Sequence, residues 1–220
     1  MKRNAFKGVF ESMAFVALAF IAVVPAKADL VNGNFTQGAY IASGPGYETL
    51  SAGSMDLTGW TIVSGSVDWI QGYWQVPPSG GFSLDMDGTT PGTISQAVAT
   101  TIGKTYDLSF SLSGNPDGGP TTKVLQITSD AISSPVTNYM YVVGGNSTGS
   151  MNWIGESYVF TATAATTTLT FASQDSPSNN PYGPALGALN LQATPEPGFY
   201  GVLALGLAGL AFAAARRRLA

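Results

Sequence analysis

Short runs of alternating apolar and polar residues recur through the middle of the chain, between residues 29 and 193. The clearest run, residues 106–112, reads YDLSFSL. The same alternation is shared by three further pairs of apolar residues: Leu125 and Ile127, Tyr158 and Phe160, and Leu169 and Phe171. A period of two residues is typical of a strand with one buried face and one exposed face. This part of the chain therefore predicts many half-buried strands.

Turn-forming residues separate these runs. They include Asp87-Gly88, Pro91-Gly92, residues 115–120, Gly144-Gly145-Asn146 and residues 176–184. Such clusters of Gly, Pro, Asn and Asp mark turns, and we count roughly nine or ten strands between them with no convincing amphipathic helix. The pattern predicts an all-β antiparallel sandwich. Its 165 residues, 29–193, suit one domain with a core of its own.

The composition of this domain excludes several functions. It has eleven acidic residues against two lysines and no arginine. A net charge of −9 repels phosphate backbones, so we expect no nucleic-acid partner. The whole chain has no histidine and no cysteine, which excludes Ser-His-Asp and Cys-His catalysis and histidine-ligated zinc. The core must also be sufficient without disulfides.

The N-terminus has the features of a secretory signal peptide. Basic residues precede the apolar stretch 13–24, and Ala26 and Ala28 form an A-x-A cleavage site. The apolar stretch is too short to span a membrane. We predict a signal peptide over residues 1–28 and export of the domain that follows.

The C-terminus has three ordered elements in residues 194–220. The triplet Pro195, Glu196 and Pro197 is followed by an uncharged apolar run, 199–215, and then by three arginines, Arg216, Arg217 and Arg218. The apolar run predicts a transmembrane helix of roughly 25 Å, slightly short of a hydrocarbon core of about 30 Å. The basic tail, 216–218, predicts a cytoplasmic C-terminus.

This arrangement resembles the PEP-CTERM sorting signal of Gram-negative bacteria. The resemblance implies an exosortase as partner, a transient anchor in the inner membrane, and delivery to the cell surface or the extracellular matrix. The alternative is an ordinary C-terminal anchor that follows a Pro-rich linker.

A second resemblance covers most of residues 29–191. It rests on seven motifs in order: 32–35 (NGNF), 59–61 (GWT), 65–70 (GSVDWI), 83–88 (SLDMDG), 91–96 (PGTISQ), 114–116 (GNP) and 183–186 (GPAL). The series resembles the choice-of-anchor C family, which is similar to a plant cell-wall family. The resemblance implies a galactose-binding-like jelly roll and does not specify a biochemical activity.

Asp85 and Asp87 are the first candidate site. Two residues apart on a strand, they are predicted to project from the face opposite Leu84 and Met86. Paired carboxylates suit a structural Ca²⁺ ion, the one cofactor that the sequence suggests. Many relatives place an aspartate where Gly187 stands here, which weakens that reading. The alternative is a solvated strand face.

Aromatic residues form the second candidate site. Tyr73 and Trp74 lie beside Asp68 in a segment rich in glycine, proline and glutamine. Flat rings next to hydrogen-bonding groups suit a sugar, so these three residues are our candidates for binding neutral polysaccharide. The alternative is that the rings fill the core, which we favour for Trp60 and Trp69.

A catalytic role would require carboxylate pairs alone, as in glycoside hydrolysis. Asp68, Asp85, Asp87 and Glu156 are available, but the sequence does not show that any two face each other. We therefore predict a non-enzymatic exported module that contacts carbohydrate at the cell surface or in the matrix. The alternative is a structural matrix protein that associates with itself or with other proteins.

Overall fold

The computed structural model describes residues 30–40, 44–131, 135–176, 181–195 and 197–219. The strands are β1 (Tyr47–Ser51), β2 (Thr61–Ser64), β3 (Ser66–Ile70), β4 (Ser83–Asp85), β5 (Thr93–Ala99), β6 (Thr105–Gly114), β7 (Thr122–Ser129), β8 (Thr137–Val142), β9 (Ile154–Thr161), β10 (Thr166–Ser173) and β11 (Pro184–Ala193). One helix, α1 (Pro197–Leu219), follows them.

The strands form two antiparallel sheets. One sheet has six strands in the order β1-β3-β4-β11-β6-β9, and the other has five in the order β2-β5-β10-β7-β8. Each alternating run of the sequence falls on a strand: residues 106–112 on β6, and the three apolar pairs on β7, β9 and β10. The predicted all-β antiparallel sandwich is confirmed.

The apolar faces of the two sheets meet in one large core. Within it, the Trp60 ring contacts Phe35 at a tilt and Phe171 edge to face, with centroid separations of 5.4 Å and 5.6 Å. Trp60 and Trp69 are 4% and 1% exposed, and each indole N–H donates to a backbone carbonyl. Burying such rings without an unpaired N–H stabilises the fold. The interpretation of both tryptophans as core residues is confirmed.

The terminal segments are described only in part. Residues 1–29, which include Ala26 and Ala28 of the predicted signal peptide, lie outside the described residues, and so does Glu196. The predicted span 199–215 falls within α1, and Arg216 and Arg217 near its end are exposed. Within the described ranges, no helix has the length and apolar character that crossing a membrane requires. The structure therefore gives no support to the predicted transmembrane span.

Candidate functional site

Two tyrosine rings pack edge to face at one end of the six-stranded sheet. Tyr47 begins β1 and Tyr73 lies in the loop after β3. Both rings are half-buried, and their centroids are 5.3 Å apart at an interplanar angle of 78°. We call these two residues the tyrosine pair. Its rings pack beside a small buried cluster of Ile70, Trp74, Met151 and Ala185.

Gly46 fixes the position of the tyrosine pair. Its carbonyl accepts hydrogen bonds from the N–H groups of Gln71, Gly72 and Tyr73 at 2.9, 3.0 and 3.2 Å. Its φ is +96°, a backbone conformation that favours glycine. A Cβ at this position would lie 2.7 Å from the Tyr73 nitrogen. The loop that carries Tyr73 therefore approaches Tyr47 only because residue 46 has no side chain.

A carboxylate orients the outer ring of the pair. The Tyr73 hydroxyl donates to Asp117 Oδ2 at 2.7 Å, and Asp117 is exposed. This hydrogen bond is the main reason that the pKa of Tyr73 is raised to about 12. Tyr73 therefore stays a neutral hydrogen-bond donor at physiological pH. The carboxylate beside it offers further acceptor positions at the surface.

A hydrogen-bond chain connects Asp117 to the interior. The Asp117 N–H donates to Asn115 Oδ1 at 2.9 Å, and Asn115 Nδ2–H donates to Asp85 Oδ2 at 2.6 Å. The other oxygen of Asp85 accepts from the N–H groups of Asp87 and Gly183 at 3.0 and 2.9 Å. Asp85 is therefore a positioning residue: it holds the amide that holds the surface carboxylate.

Four aspartate side chains of the domain are buried: Asp68, Asp85, Asp87 and Asp175. We call them the acidic cluster. Asp68 and Asp85 are opposite each other in the pairing of β3 with β4. Burial raises the pKa of Asp85 well above its usual value, and it raises the pKa values of Asp68 and Asp175 in the same direction. The cluster therefore favours protonated carboxyl groups.

Lys123 lies next to the acidic cluster and is fully buried. Its ammonium donates to the carbonyl of Gly118 at 2.9 Å and to the carbonyl of Tyr182. Burial lowers its pKa, while the charges of Asp175, Asp85 and Asp87 act in the opposite direction. Lys123 therefore joins the loop that carries Asp117 to the segment before β11.

Asp87 is the least satisfied member of the cluster. It is 0% exposed, and neither of its oxygens has a hydrogen-bond partner among the described residues. Burial raises its pKa to about 6 and the Asp175 charge acts in the same direction, whereas the polar Ser173 side chain nearby and the Lys123 charge oppose them. A buried polar group without a partner costs free energy of folding, so Asp87 destabilises the domain most when it is charged.

The calcium prediction does not fit this arrangement. Both oxygens of Asp85 already accept hydrogen bonds, and Lys123 supplies a cationic group nearby. In the part of the chain that the structure describes, no three acidic side chains are arranged to hold a metal ion. Gly187 stands where many members of the resembled family place an aspartate. An added Cβ at Gly187 would lie 2.5 Å from Pro77 Cγ, so an aspartate cannot be accommodated there without a shift. The solvated-face alternative is wrong, because Asp85 and Asp87 are 1% and 0% exposed.

The predicted sugar-binding residues separate in the structure. Tyr73 is at the surface, but Trp74 is 4% exposed and its indole N–H donates to Ser83 Oγ at 2.8 Å. Asp68 is 8% exposed and accepts from the Thr49 hydroxyl at 2.5 Å. The prediction that Trp74 and Asp68 face a ligand is therefore corrected. Trp74 belongs to the small buried cluster with Ile70 and Met151, and Asp68 lies on β3 between β1 and β4.

Sequence reasoning missed several residues of this region. Tyr47 lies far from Tyr73 in sequence, and only the pairing of β1 with β3 brings them together. Trp153 was also missed; it is half-buried and its indole N–H donates to the Gln75 carbonyl at 3.0 Å. Lys123 did carry a signal, because it is in phase with Leu125 and Ile127 and so shares their buried face.

The acid Glu156, considered for catalysis, lies apart from the cluster. It is on the edge strand β9 opposite Phe110, whereas Asp68 and Asp85 are on β3 and β4. The buried acids have their oxygens turned to the interior, where a polysaccharide does not reach. Of the four acids considered for catalysis, Asp68, Asp85 and Asp87 are therefore buried together, and Glu156 is on a different strand.

The comparisons with known proteins give one family and one sequence relative. The family described as "Protein of unknown function (DUF642)" matches residues 28–192. Halomucin of Haloquadratum walsbyi is 33% identical over 190 residues, a match that covers 82% of this chain and 2% of halomucin. The chain therefore spans a small fraction of that relative's length.

Solved structures also match part of this chain at low identity. A family 35 carbohydrate-binding module from Clostridium thermocellum is 14% identical with a TM-score of 0.41, and the match covers 66% of this chain and 97% of the module. The CBM22-1 xylan-binding domain from Paenibacillus barcinonensis is 14% identical with a TM-score of 0.41, over 68% of this chain and 94% of that domain. At this level of similarity, neither match identifies a ligand.

Proposed function

The chain is a member of the DUF642 family, and we propose that it is a non-enzymatic module that holds neutral polysaccharide against the tyrosine pair. One observation carries this proposal: Tyr47 and Tyr73 are half-buried rings held in a fixed geometry by Gly46, with an exposed carboxylate at the hydroxyl of Tyr73. Rigid rings lose little conformational freedom on binding, which favours affinity.

The chemistry of the surface favours a neutral ligand. The domain carries a net charge of −9, and the Tyr73 hydroxyl is hydrogen-bonded to the carboxylate of Asp117. An acidic polymer would be repelled, whereas stacking of a sugar ring on tyrosine needs no charge. Sugar hydroxyls donate to a carboxylate in charge-assisted hydrogen bonds.

Alanine variants test this function. The full chain is assayed for retention on xylan, galactan, mannan and β-glucan, with Tyr47→Ala/Tyr73→Ala as the test variant. Tyr139→Ala is the matched control, since Tyr139 is also half-buried and packs edge to face against Phe110 at 5.0 Å. We expect retention of the wild type and of Tyr139→Ala on at least one polymer, and loss of retention in the double variant. Equal retention of all three proteins contradicts the proposal.

A second candidate function is a structural matrix protein that associates with itself. It is supported by the uncharged edge strand β8 (Thr137–Val142). Failure of the wild type to bind any of the four polysaccharides would favour this candidate.

We also propose that the chain is exported and sorted to the cell surface or the matrix of a Gram-negative bacterium. The support is in the sequence alone: an A-x-A site at Ala26 and Ala28, and the order of triplet, apolar run and arginines in residues 194–220. In this proposal an exosortase acts on the segment around Glu196.

A further inference from the structure

Four strands form the edges of the two sheets: β1 and β9 in the six-stranded sheet, and β2 and β8 in the five-stranded sheet. The outer side of an edge strand presents unpaired N–H and C=O groups that can pair with another chain. Proteins commonly protect such edges with charged residues, prolines, bulges or very short strands.

Three of the four edges have such protection. Strand β1 contains Glu48 and strand β9 contains Glu156. Strand β2 has only 4 residues, and its register shifts between Ile62 and Ser64. A second copy pairing with itself along β1 or β9 would bring two glutamates close to each other, which is unfavourable.

Strand β8 has none of these devices. Its 6 residues, TNYMYV, include no charge and no proline. Its register with β7 is regular from Ile127↔Thr137 to Thr122↔Val142. It is the last strand of its sheet, and β7 is the strand with which it pairs.

The side chains along β8 are also apolar and exposed. Met140 and Val142 are 61% and 65% exposed, and Val136 just before the strand is 67% exposed. The neighbouring strand β7 presents Thr122, Val124, Gln126 and Thr128 on the same face, and its lysine points inward. This face therefore carries no charge on β7 or β8, in a domain whose net charge is −9.

We infer that β8 is the strand through which a second copy of this chain binds, edge to edge and antiparallel. Copies that approach through most of the surface repel each other because both are strongly acidic, whereas β8 brings no charge opposite a like charge in any register. Antiparallel self-pairing is isologous, so the same uncharged surface serves both copies. The contact would join two five-stranded sheets into one and cover Met140 and Val142.

Substitution of β8 by a charged residue tests the inference. The full chain is examined by sedimentation equilibrium as wild type, as Met140→Lys and as Val159→Lys. Val159 is a matched control, because it is 48% exposed on the other long edge strand, β9. We expect a dimer in the wild type and in Val159→Lys, and a dissociation constant at least about tenfold higher in Met140→Lys. The terminal helix is present in all three proteins, so association through that helix would be unaffected by Met140→Lys.

A wild type that stays monomeric overturns the inference, and so does a Met140→Lys variant that dimerises as well as the wild type. If Met140→Lys does not fold, hydrogen exchange of the wild type decides instead. Backbone amides of β8 should then exchange more slowly above the dissociation constant than below it, while those of β9 are unchanged. Concentration-independent exchange along β8 would contradict dimerisation through this edge.

Discussion

Lys123 shows how a single residue shapes the region beneath the tyrosine pair. Its place in β7 is set by the alternation that also buries Leu125 and Ile127. The long side chain reaches two backbone carbonyls, those of Gly118 and Tyr182. These two residues belong to segments that are distant from each other in sequence. A buried ammonium is tolerated when its hydrogen bonds are satisfied and carboxylates lie nearby. Lys123 therefore links the site's loops to the core.

The titration of Asp87 makes stability depend on pH. Its pKa is about 6 in the folded protein, against about 3.9 in an unfolded chain. Between these values the folded state keeps a proton that the unfolded state has lost, so the free energy of unfolding falls as pH rises from about 4 to about 6. Asp87→Asn cannot lose that proton.

Urea unfolding of wild type and Asp87→Asn at pH 4 and pH 7 measures this effect. We expect the loss of stability between the two pH values to be roughly 2–3 kcal/mol smaller in the variant. The other members of the acidic cluster titrate in the same direction, so the variant should still lose some stability. Identical losses in the two proteins would show that Asp87 is not buried as described.

Calcium should not stabilise the protein. Asp85 already accepts three hydrogen bonds, and Lys123 lies beside the carboxylates. An ion that binds only the folded state raises the melting temperature as its concentration increases. We expect the melting temperature at millimolar Ca²⁺ to equal that at the same concentration of Mg²⁺. A rise specific to Ca²⁺ and absent in Asp85→Asn/Asp87→Asn would contradict the account.

At the scale of elements, the contact between Gly46, just before β1, and the 71–73 loop fixes the geometry of the tyrosine pair. We expect Gly46→Ala to destabilise the domain by about 1–3 kcal/mol, because the new methyl group must displace the Tyr73 backbone in addition to adopting a positive φ. Polysaccharide retention should fall with it, since the tyrosine pair loses its geometry.

Gly53→Ala provides the matched control for this prediction. Gly53 has a φ of +86°, but an added Cβ there has no atom within 4 Å. It therefore reports the cost of the backbone conformation alone. Urea unfolding should show a larger loss for Gly46→Ala than for Gly53→Ala, and only Gly46→Ala should lose retention. Equal effects would mean that the close approach to Tyr73 has no role.

The strands were predictable because their signal is local. Alternation over residues 106–112 depends only on which side chains face the core, and β6 follows it. The site was less predictable, because it depends on register. The opposition of Asp68 and Asp85, and the approach of Tyr47 to Tyr73, arise from strand pairings that no local pattern specifies.

The burial of polar residues also limited how much of the site could be predicted from the sequence. We expected Asp85 and Asp87 on a face open to solvent, but β4 lies between β3 and β11 and loops cover its second face through Asn115 and Gly183. Trp74 was misread for a similar reason, because Ser83 offers an acceptor for its indole N–H in the interior.

At the scale of the whole molecule, the chain combines an acidic domain with terminal segments of different chemistry. Sorting through the C-terminal segment should depend on Glu196, the only charge between Asp175 and Arg216. An enzyme that recognises the Pro-Glu-Pro triplet would lose the triplet's charge in Glu196→Gln. In an exosortase-containing host, we expect Glu196→Gln to remain unprocessed while its melting curve is unchanged. Cell fractionation that finds equal surface fractions for variant and wild type would favour an ordinary anchor.

Binding of polysaccharide at the tyrosine pair is the central claim, and hydroxyl-radical footprinting tests it most directly. The full chain is oxidised with and without the polymer among xylan, galactan, mannan and β-glucan that retains it best. We predict that the polymer protects Tyr47 and Tyr73 and leaves Tyr139 as reactive as before, because Tyr139 is half-buried elsewhere, against Phe110. Protection of Tyr139 without the tyrosine pair, or no protection of Tyr47 and Tyr73 by that polymer, would contradict the account.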